Sequence, residues 1–413
     1  MTDSLAPAPA PQFEGEGTGE SLPPLRRSSW PRFEDDEIQA VTGILRSGAV
    51  NSLHHGKYCQ QFERTMASLC EVPYGIAAAN GTLALELALR ALEVGPGDEV
   101  IVPARSFMAS ASCVVTVGAT PVFADVDRDS QNITAAAIEA ALTERTRAVI
   151  VVHLAGWPAD MPAIMELAAR RNFKVIEDCA QAHGARIAGA PVGSFGDASA
   201  FSFCTDKIIS TGGEGGMLVL KEREAWKRAW AFKDHGKDPE HYAAIVPGPD
   251  FLWLHTSVGS NYRMTEMQCA IGVLQLGKLP AWTARRRANT AAFYAELADL
   301  PAVRIPQPAA DVEHAAYKAY LFVRPERLKP DWSRRRIIEE AKARGLALTV
   351  GSCPEIYRES AFEGTDWRPP QRLPVAVELG ETSLMIQVDH TLEPDDLTAA
   401  GRRLRGILER ASA

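Results

Sequence analysis

The sequence predicts an α/β protein: a parallel or mixed sheet covered by helices, followed by a smaller α+β unit. Three observations carry that expectation. Between Tyr74 and Leu220, apolar β-branched runs alternate with helix-like segments. Those runs are continuous rather than alternately polar and apolar, which marks strands buried on both faces. After about residue 280 the pattern shifts to charged amphipathic segments and a few short strands, and 413 residues exceed one ordinary core.

Residues 1 to about 28 are rich in Pro, Ala, Gly, Ser and Glu and read as a flexible tail. Order begins near "SWPRFEDDEIQAVTGILRSG", where Phe33, Ile38, Val41 and Leu45 have helical spacing and Gly48 lies just beyond. Next, "YGIAAAN" reads as a strand, "GTLALELALRAL" as a helix, "DEVIVP" as a strand, "SFMASASCVVTVG" as a helix and "TPVFADVD" as a strand. The alternation continues through helix "TAAAIEAAL", strand "RAVIVVHL", helix "ADMPAIMELAARR" and strand "FKVIEDCA", and "ASAFSFC" and "GGMLVL" add further strands. Beyond them, "LPAWTARRRANTAAFYAEL", "WSRRRIIEEAKARG" and "PDDLTAAGRRLRGILERA" read as helices, and "AYKAYLFVRPE", "LALTVGSC" and "SLMIQVDH" as strands. The expected division is a tail over 1–28, a large domain over 29–280 whose first helix packs with the small domain, and a small α+β domain over 281–413.

Composition narrows the function. A net charge of −8 without a basic stripe makes nucleic acid a poor partner. No apolar stretch approaches the roughly 18 residues of a membrane span. The opening "MTDSLAPAPAPQFEGEGTGE" lacks the basic and apolar regions of a secretion signal. Seven scattered cysteines with no C-x-x-C pair point to reduced thiols in a cytoplasm, and away from a disulfide frame or a zinc site. "GPGDEV" precedes a strand, whereas a dinucleotide fingerprint follows one.

In such sheets ligands sit beyond the carboxyl ends of the strands. Asn80–Thr82, Ser106–Phe107, His153, Glu177–Gln181 and Cys204–Lys207 all fall at such ends. Gly81 and Thr82 open a helix, where free N–H groups and the positive helix end can hold a phosphate. Glu177 and Asp178 follow an apolar strand; a carboxylate there can bind a metal, act as a base, pair with a cationic ring nitrogen or simply cap a helix. His183 reads as a local structural hydrogen bonder. In "FSFCTDKIISTGGEGGM", Lys207 lies between an apolar run and a loop with four glycines in five residues. Burial lowers a lysine's pKa and so makes it a nucleophile; alone, however, a lysine is usually solvated. A phosphate-holding helix start, an acid and a semi-buried lysine together suit pyridoxal phosphate, which has a phosphate, a ring nitrogen that wants an anion and an aldehyde that wants an amine. Phe107 offers a flat face for its ring, or plain core packing.

The stretches "NGTLALELALRALEVGPGDEVIVPARSFMASA", "GATPVFADVD", "VVHLAGWPADM", "VIEDCAQAHGA", "GSFGDASAFSF", "GGEGGM" and "GSNYRMTEMQCAIG" resemble the DegT/DnrJ/EryC1/StrS family, sugar aminotransferases of the fold type I pyridoxal-phosphate superfamily. Weaker matches continue through "HAAYKAYLF", "CPEIYRESAF" and "LPVAVELGETSL". The resemblance implies a large, mostly parallel, seven-stranded type of sheet and a pyridoxal 5′-phosphate cofactor. It also implies a homodimer with active sites at the subunit interface. It assigns Lys207 to the Schiff base, Asp178 to the pyridine nitrogen, Gln181 to the ring hydroxyl and Phe107 to stacking on the ring. Gly81, Thr82 and Ser202 would hold the phosphate, and Asn261 or Arg263 would reach the phosphate in the neighbouring subunit.

The implied activity moves an amino group from L-glutamate or L-glutamine to a ketosugar, foremost a nucleotide-diphosphate-linked keto-deoxysugar. A keto-cyclitol acceptor and a sugar dehydration are the alternatives. Dehydrating relatives carry His where Lys207 stands, so lysine favours amino transfer. Three departures bear on the substrate. The tail before Ser29 is long, the loop after Lys207 has one residue more before its Glu-Gly-Gly than "TTGEGG", and "IQVDHTL" replaces "VHPTL". Candidate substrate contacts are His54, His55, Trp157, His235 and Tyr317, with the long irregular stretch from Lys233 to Ser260 bordering the site.

Overall fold

A computed structural model describes residues 24–54, 56–245, 248–249 and 251–413; most of the expected tail, and His55, lie outside them. In chain order the strands are β1 (Tyr74–Ala78), β2 (Glu99–Pro103), β3 (Thr120–Ala124), β4 (Thr146–Val152), β5 (Lys174–Asp178), β6 (Arg186–Ile187), β7 (Ala190–Pro191), β8 (Ala198–Ser202), β9 (Gly216–Leu220), β10 (Val303–Arg304), β11 (Val312–Glu313), β12 (Lys318–Val323) and β13 (Ser383–Gln387). The α-helices are α1 (Asp35–Ser47), α2 (Lys57–Leu69), α3 (Gly81–Ala91), α4 (Ala109–Thr116), α5 (Ala135–Ala141), α6 (Met161–Arg171), α7 (Arg223–Lys233), α8 (Pro239–Ala243), α9 (Glu266–Ala295), α10 (Arg334–Ala343), α11 (Pro374–Thr382) and α12 (Pro394–Ala411).

The central sheet has seven strands in the order β1-β9-β8-β5-β4-β2-β3. β9 runs antiparallel to both its neighbours, and the other pairings are parallel. The remaining strands therefore all end at one edge. Their continuous apolar runs are explained by burial on both faces: Val100 and Val102 of β2 enter one core cluster, and Ile101 between them enters another. β6, β7 and β11 form a small antiparallel ribbon, and β10, β12 and β13 the antiparallel sheet of the small domain.

Several elements depart from expectation. The domain boundary expected at 280 falls inside α9, a 30-residue helix that contains Pro280. Proline removes one backbone bond, but α9 is held along its length by packing on α1, α2 and α12. The expected strand "LALTVGSC" contributes only an isolated bridge from Thr349 to Met385. Ile38 and Leu45 share α1's apolar spacing yet are 53% and 57% exposed, although α1 packs on α9. Residues 24–28, grouped with the tail in the sequence, lie against the small domain: Leu25 packs on its core and Arg26 approaches Asp396 at 3.8 Å. All seven cysteines are free thiols. Among the described residues no helix is long and apolar enough to cross a membrane.

Candidate active site

A cavity of about 630 Å³ opens between the carboxyl edge of the sheet and the small domain. Four of the five strand-end clusters meet in it, through Gly81, Thr82, Ser106, Phe107, Asp178, Gln181, Cys204 and Lys207. His153, the fifth, lies behind the wall.

Lys207 follows β8 in a tight turn, and its side chain is only 15% exposed. Its Nζ stands 3.9 Å from Asp206 and 5.1 Å from the centre of the Tyr317 ring. Burial works against ionisation of Asp206, but Lys207, the Tyr317 hydroxyl and Lys318 together hold its carboxyl down, at about 2. Of the glycines after Lys207, Gly212 and Gly213 take left-handed φ values of 86° and 116°, and Gly216 serves close packing: a Cβ there would lie 2.2 Å from the Asn80 carbonyl oxygen, so β9 can begin against the start of α3 only as glycine.

Asp178 ends β5 and is buried. It accepts the Ala180 N–H and the Ser110 hydroxyl, each at 3.1 Å, and Ser110 is paired with Ser106 at 2.8 Å. Burial dominates and pushes the carboxyl above its ordinary value, against the Ala180 N–H, Lys207 and Ser110. A cation beside it would favour the carboxylate.

Glu177 is a different case. It is also buried, and burial alone would raise it, yet hydrogen bonds hold it below the usual range. It accepts from the amides of Gly193, Phe195 and Gly196, from the Ser199 hydroxyl and from His153 Nε2 at 3.0 Å. His153 Nδ1 accepts the Ala159 N–H, which makes Nε2 the protonated nitrogen. His153, Glu177 and Cys179 are grouped tightly enough for a metal, but the histidine has no lone pair left over and the carboxylate is fully engaged. Glu177 is a structural brace for the loop at 193–196. His183 packs 5.4 Å from the rings of Phe201 and Phe203. Burial lowers its pKa to about 3, against a backbone hydrogen bond at Ser202, leaving it neutral.

The start of α3 is capped by Asn80, whose side chain takes the Leu83 N–H at 2.9 Å. The amides of Gly81 and Thr82 precede any intrahelical acceptor. Gly81 is pressed against Ser202: an added Cβ would meet the serine Cβ at 2.6 Å. Gln181 Oε1 accepts the Ala155 N–H at 2.7 Å, so its amide NH2 is what remains for a ligand. Phe107 is 68% exposed on the cavity wall, not packed in a core.

Other candidates lie elsewhere. Arg263 pairs with buried Asp234, and neither it nor Asn261 lines the cavity of its own chain. His54 is exposed and His235 occupies an exposed left-handed turn (φ 62°), both away from the cavity. Trp157 lines a neighbouring cavity of about 170 Å³ beside His314. Tyr317 does line the main cavity. The structure adds Ser110, which touches Asp178, and Lys318, Tyr320, Cys353 and Met385 from the small domain. Ser110 stands one helical turn beyond Ser106 and Lys318 sits inside "HAAYKAY", the signals that could have found them.

A model of the DegT/DnrJ/EryC1/StrS aminotransferase family matches residues 31–405. A curated relative from Acidithiobacillus ferrooxidans, UDP-N-acetyl-3-dehydro-alpha-D-glucosamine 3-aminotransferase, is 43% identical over 283 residues, 68% of this chain and 73% of the relative. The X-ray structure of an aminotransferase from Psychrobacter cryohalolentis is 46% identical with a TM-score of 0.90, covering 92% of this chain and 98% of that one. E. coli GDP-4-keto-6-deoxy-D-mannose-3-dehydratase with bound hydrated PLP is 25% identical with a TM-score of 0.81, covering 93% and 98%.

Proposed function

The chain belongs to the DegT/DnrJ/EryC1/StrS aminotransferase family and is a pyridoxal-phosphate enzyme; from there we propose that it transfers an amino group from L-glutamate or L-glutamine to a nucleotide-diphosphate-linked keto-deoxysugar. The observation that carries this reading is the pairing of Lys207 and buried Asp178 in one cavity. The site fits the cofactor. Asp178 is a buried carboxyl with an unfavourable charge that a cationic ring nitrogen relieves. The Gly81–Ser202 contact leaves no side chain over the first amides of α3.

When bound, pyridoxal phosphate supplies an aldehyde that takes up amines and a cationic ring that withdraws electrons. The amides of Gly81 and Thr82, with Ser202, bind its phosphate at the positive end of α3. Asp178 holds the proton on the ring nitrogen, and the Ser110 hydroxyl orients that carboxylate. The amide of Gln181 donates to the ring hydroxyl, and Phe107 covers the ring face. Nζ of Lys207 would be the attachment point for the aldehyde, and as a free amine it would move the proton at the donor's α-carbon. Asp206 and Tyr317 steer the amine, which lies within reach of both.

The relatives named above act on UDP- and GDP-linked sugars, which supports a nucleotide sugar as acceptor. Exposed apolar residues support a homodimer that completes the site: Phe107, Phe251 and Trp253 are 68%, 75% and 83% exposed. Asn261 and Arg263, idle in their own cavity, would then serve the partner. Two tests apply. The aminated enzyme, mixed with UDP-, GDP- and dTDP-linked ketosugars and with a free keto-cyclitol, should give an amino product only from a nucleotide sugar; turnover of the cyclitol alone would overturn the acceptor reading. Mixed dimers of Lys207→Ala and Arg263→Ala should recover activity that neither variant has alone, and no recovery would refute the shared site.

A further inference from the structure

The segment before α1 crosses the small domain and ends against the loop that carries Lys207. There the indole Nε1–H of Trp30 donates to the backbone carbonyl of Lys207 at 2.8 Å, across 177 residues of sequence. No other donor reaches that carbonyl among the described residues. Within the turn the Lys207 N–H bonds to the Cys204 carbonyl and the Thr211 N–H to the Phe203 carbonyl, both at 3.1 Å, while the Ser210 N–H donates to Gln275 Oε1 of α9 at 2.9 Å. The Lys207 carbonyl itself is met only from outside the loop, by Trp30.

Trp30 is itself firmly seated. Its ring stands edge-on to Trp282 of α9 at 5.3 Å and to His390, just past β13, at 4.6 Å. Those two rings stack on each other at 4.0 Å and 8°. One residue earlier, the Ser29 N–H donates to Thr391 Oγ1 at 3.1 Å. The Trp30 backbone N–H goes to Ser28 Oγ at 3.1 Å, its ring rests on α9 and the small domain, and its indole N–H grips the loop that carries Lys207.

We propose that Trp30 is a positioning residue: it fixes the Lys207 backbone and couples the amine's reach to the seating of the small domain. The inference rests on the reading of Lys207 as the attachment lysine. A lysine amine is carried on a long flexible stem, so its aim depends on a fixed Cα. Misplacement of a reacting group by about 1 Å costs as much as about a hundredfold in rate.

The test uses full-length protein, stripped of cofactor and mixed with pyridoxal phosphate, with the visible band of the lysine-bound form followed in time and against pH. Trp30→Phe keeps the ring packing and removes only the N–H. It should form the band about tenfold more slowly and shift the pH midpoint of the band. It should also lower kcat with L-glutamate while leaving KM unchanged. Thr391→Val, which frees the Ser29 N–H without touching Lys207, should slow band formation to a smaller degree. Wild-type rate and midpoint in Trp30→Phe would overturn the inference. If Trp30→Phe folds poorly by circular dichroism, a wild-type rate in Thr391→Val would do the same. A wild-type protein with no band would instead overturn the reading of Lys207, and this inference with it.

Discussion

Replacing Glu177 by Gln tests whether the two adjacent carboxylates of β5 are as different as the structure makes them. Oε1 accepts from Phe195 and Gly196 at 2.9 and 2.8 Å and from Ser199 at 3.2 Å. Oε2 accepts from Gly193 at 2.9 Å and from His153 at 3.0 Å. The glutamine oxygen can keep the richer set, which puts the NH2 against the Gly193 N–H and His153 Nε2–H. His153 cannot switch tautomer without losing the Ala159 N–H at its Nδ1. Two buried donors are then stranded at about 1–3 kcal/mol each, and the kept bonds lose charge assistance, so the expected cost is about 4 kcal/mol. The assay is denaturant unfolding of cofactor-free protein at neutral pH. Because folding holds Glu177 below its ordinary value of 4.5, its contribution is complete above that pH and is lost as the pH falls through the lower folded value. The difference between wild type and Glu177→Gln should therefore shrink in acid. A cost under about 1 kcal/mol at neutral pH, or a difference that grows in acid, would refute the assignment of Glu177 as a charged brace.

Asp178→Asn should behave oppositely. The asparagine oxygen can still accept the Ala180 N–H and its NH2 can donate to Ser110, so cofactor-free protein should keep or gain thermal stability, while the stabilisation that pyridoxal phosphate adds to wild type should largely disappear. Thermal melts with and without cofactor decide it. Gly81→Ala forces a Cβ to within 2.6 Å of the Ser202 Cβ. Affinity for pyridoxal phosphate should fall at least about tenfold, or about 1.4 kcal/mol, with affinity for phosphate-free pyridoxal unchanged, as measured by titration. His183 stays neutral well below physiological pH, so His183→Phe should leave the number of inflections in the pH–rate profile unchanged between pH 5 and 8.

The sheet was legible because its signal is local: strands buried on both faces need apolar residues on both, and Val100–Val102 of β2, Ala148–Val152 of β4 and Val175–Ile176 of β5 are such runs. Lys207, Asp178 and Gly81 stood out because each follows such a run, where a parallel sheet exposes its functional edge. What was hidden depends on contacts distant in sequence. Asp206 is held by Tyr317, 111 residues on, and nothing in "CTDK" announces that partner. α9 passes through Pro280 because tertiary packing outweighs one lost bond. "LALTV" is apolar enough for a strand, yet meets β13 only at Thr349. Glu177 and Asp178 were indistinguishable as neighbours on one strand; alternation sends them to opposite faces, one into a ring of amides and the other into the cavity. Ile38 and Leu45 have the spacing of a helix's apolar face, but on α1 they remain exposed in the single chain.

The most direct test of the central claim is the absorbance spectrum of the purified protein with pyridoxal phosphate, before and after L-glutamate and then L-glutamine, beside Lys207→Ala. Wild type should show a visible band that moves to the near ultraviolet with at least one donor, and the band should be missing in Lys207→Ala. The same band in both proteins, or none in the wild type, would contradict it.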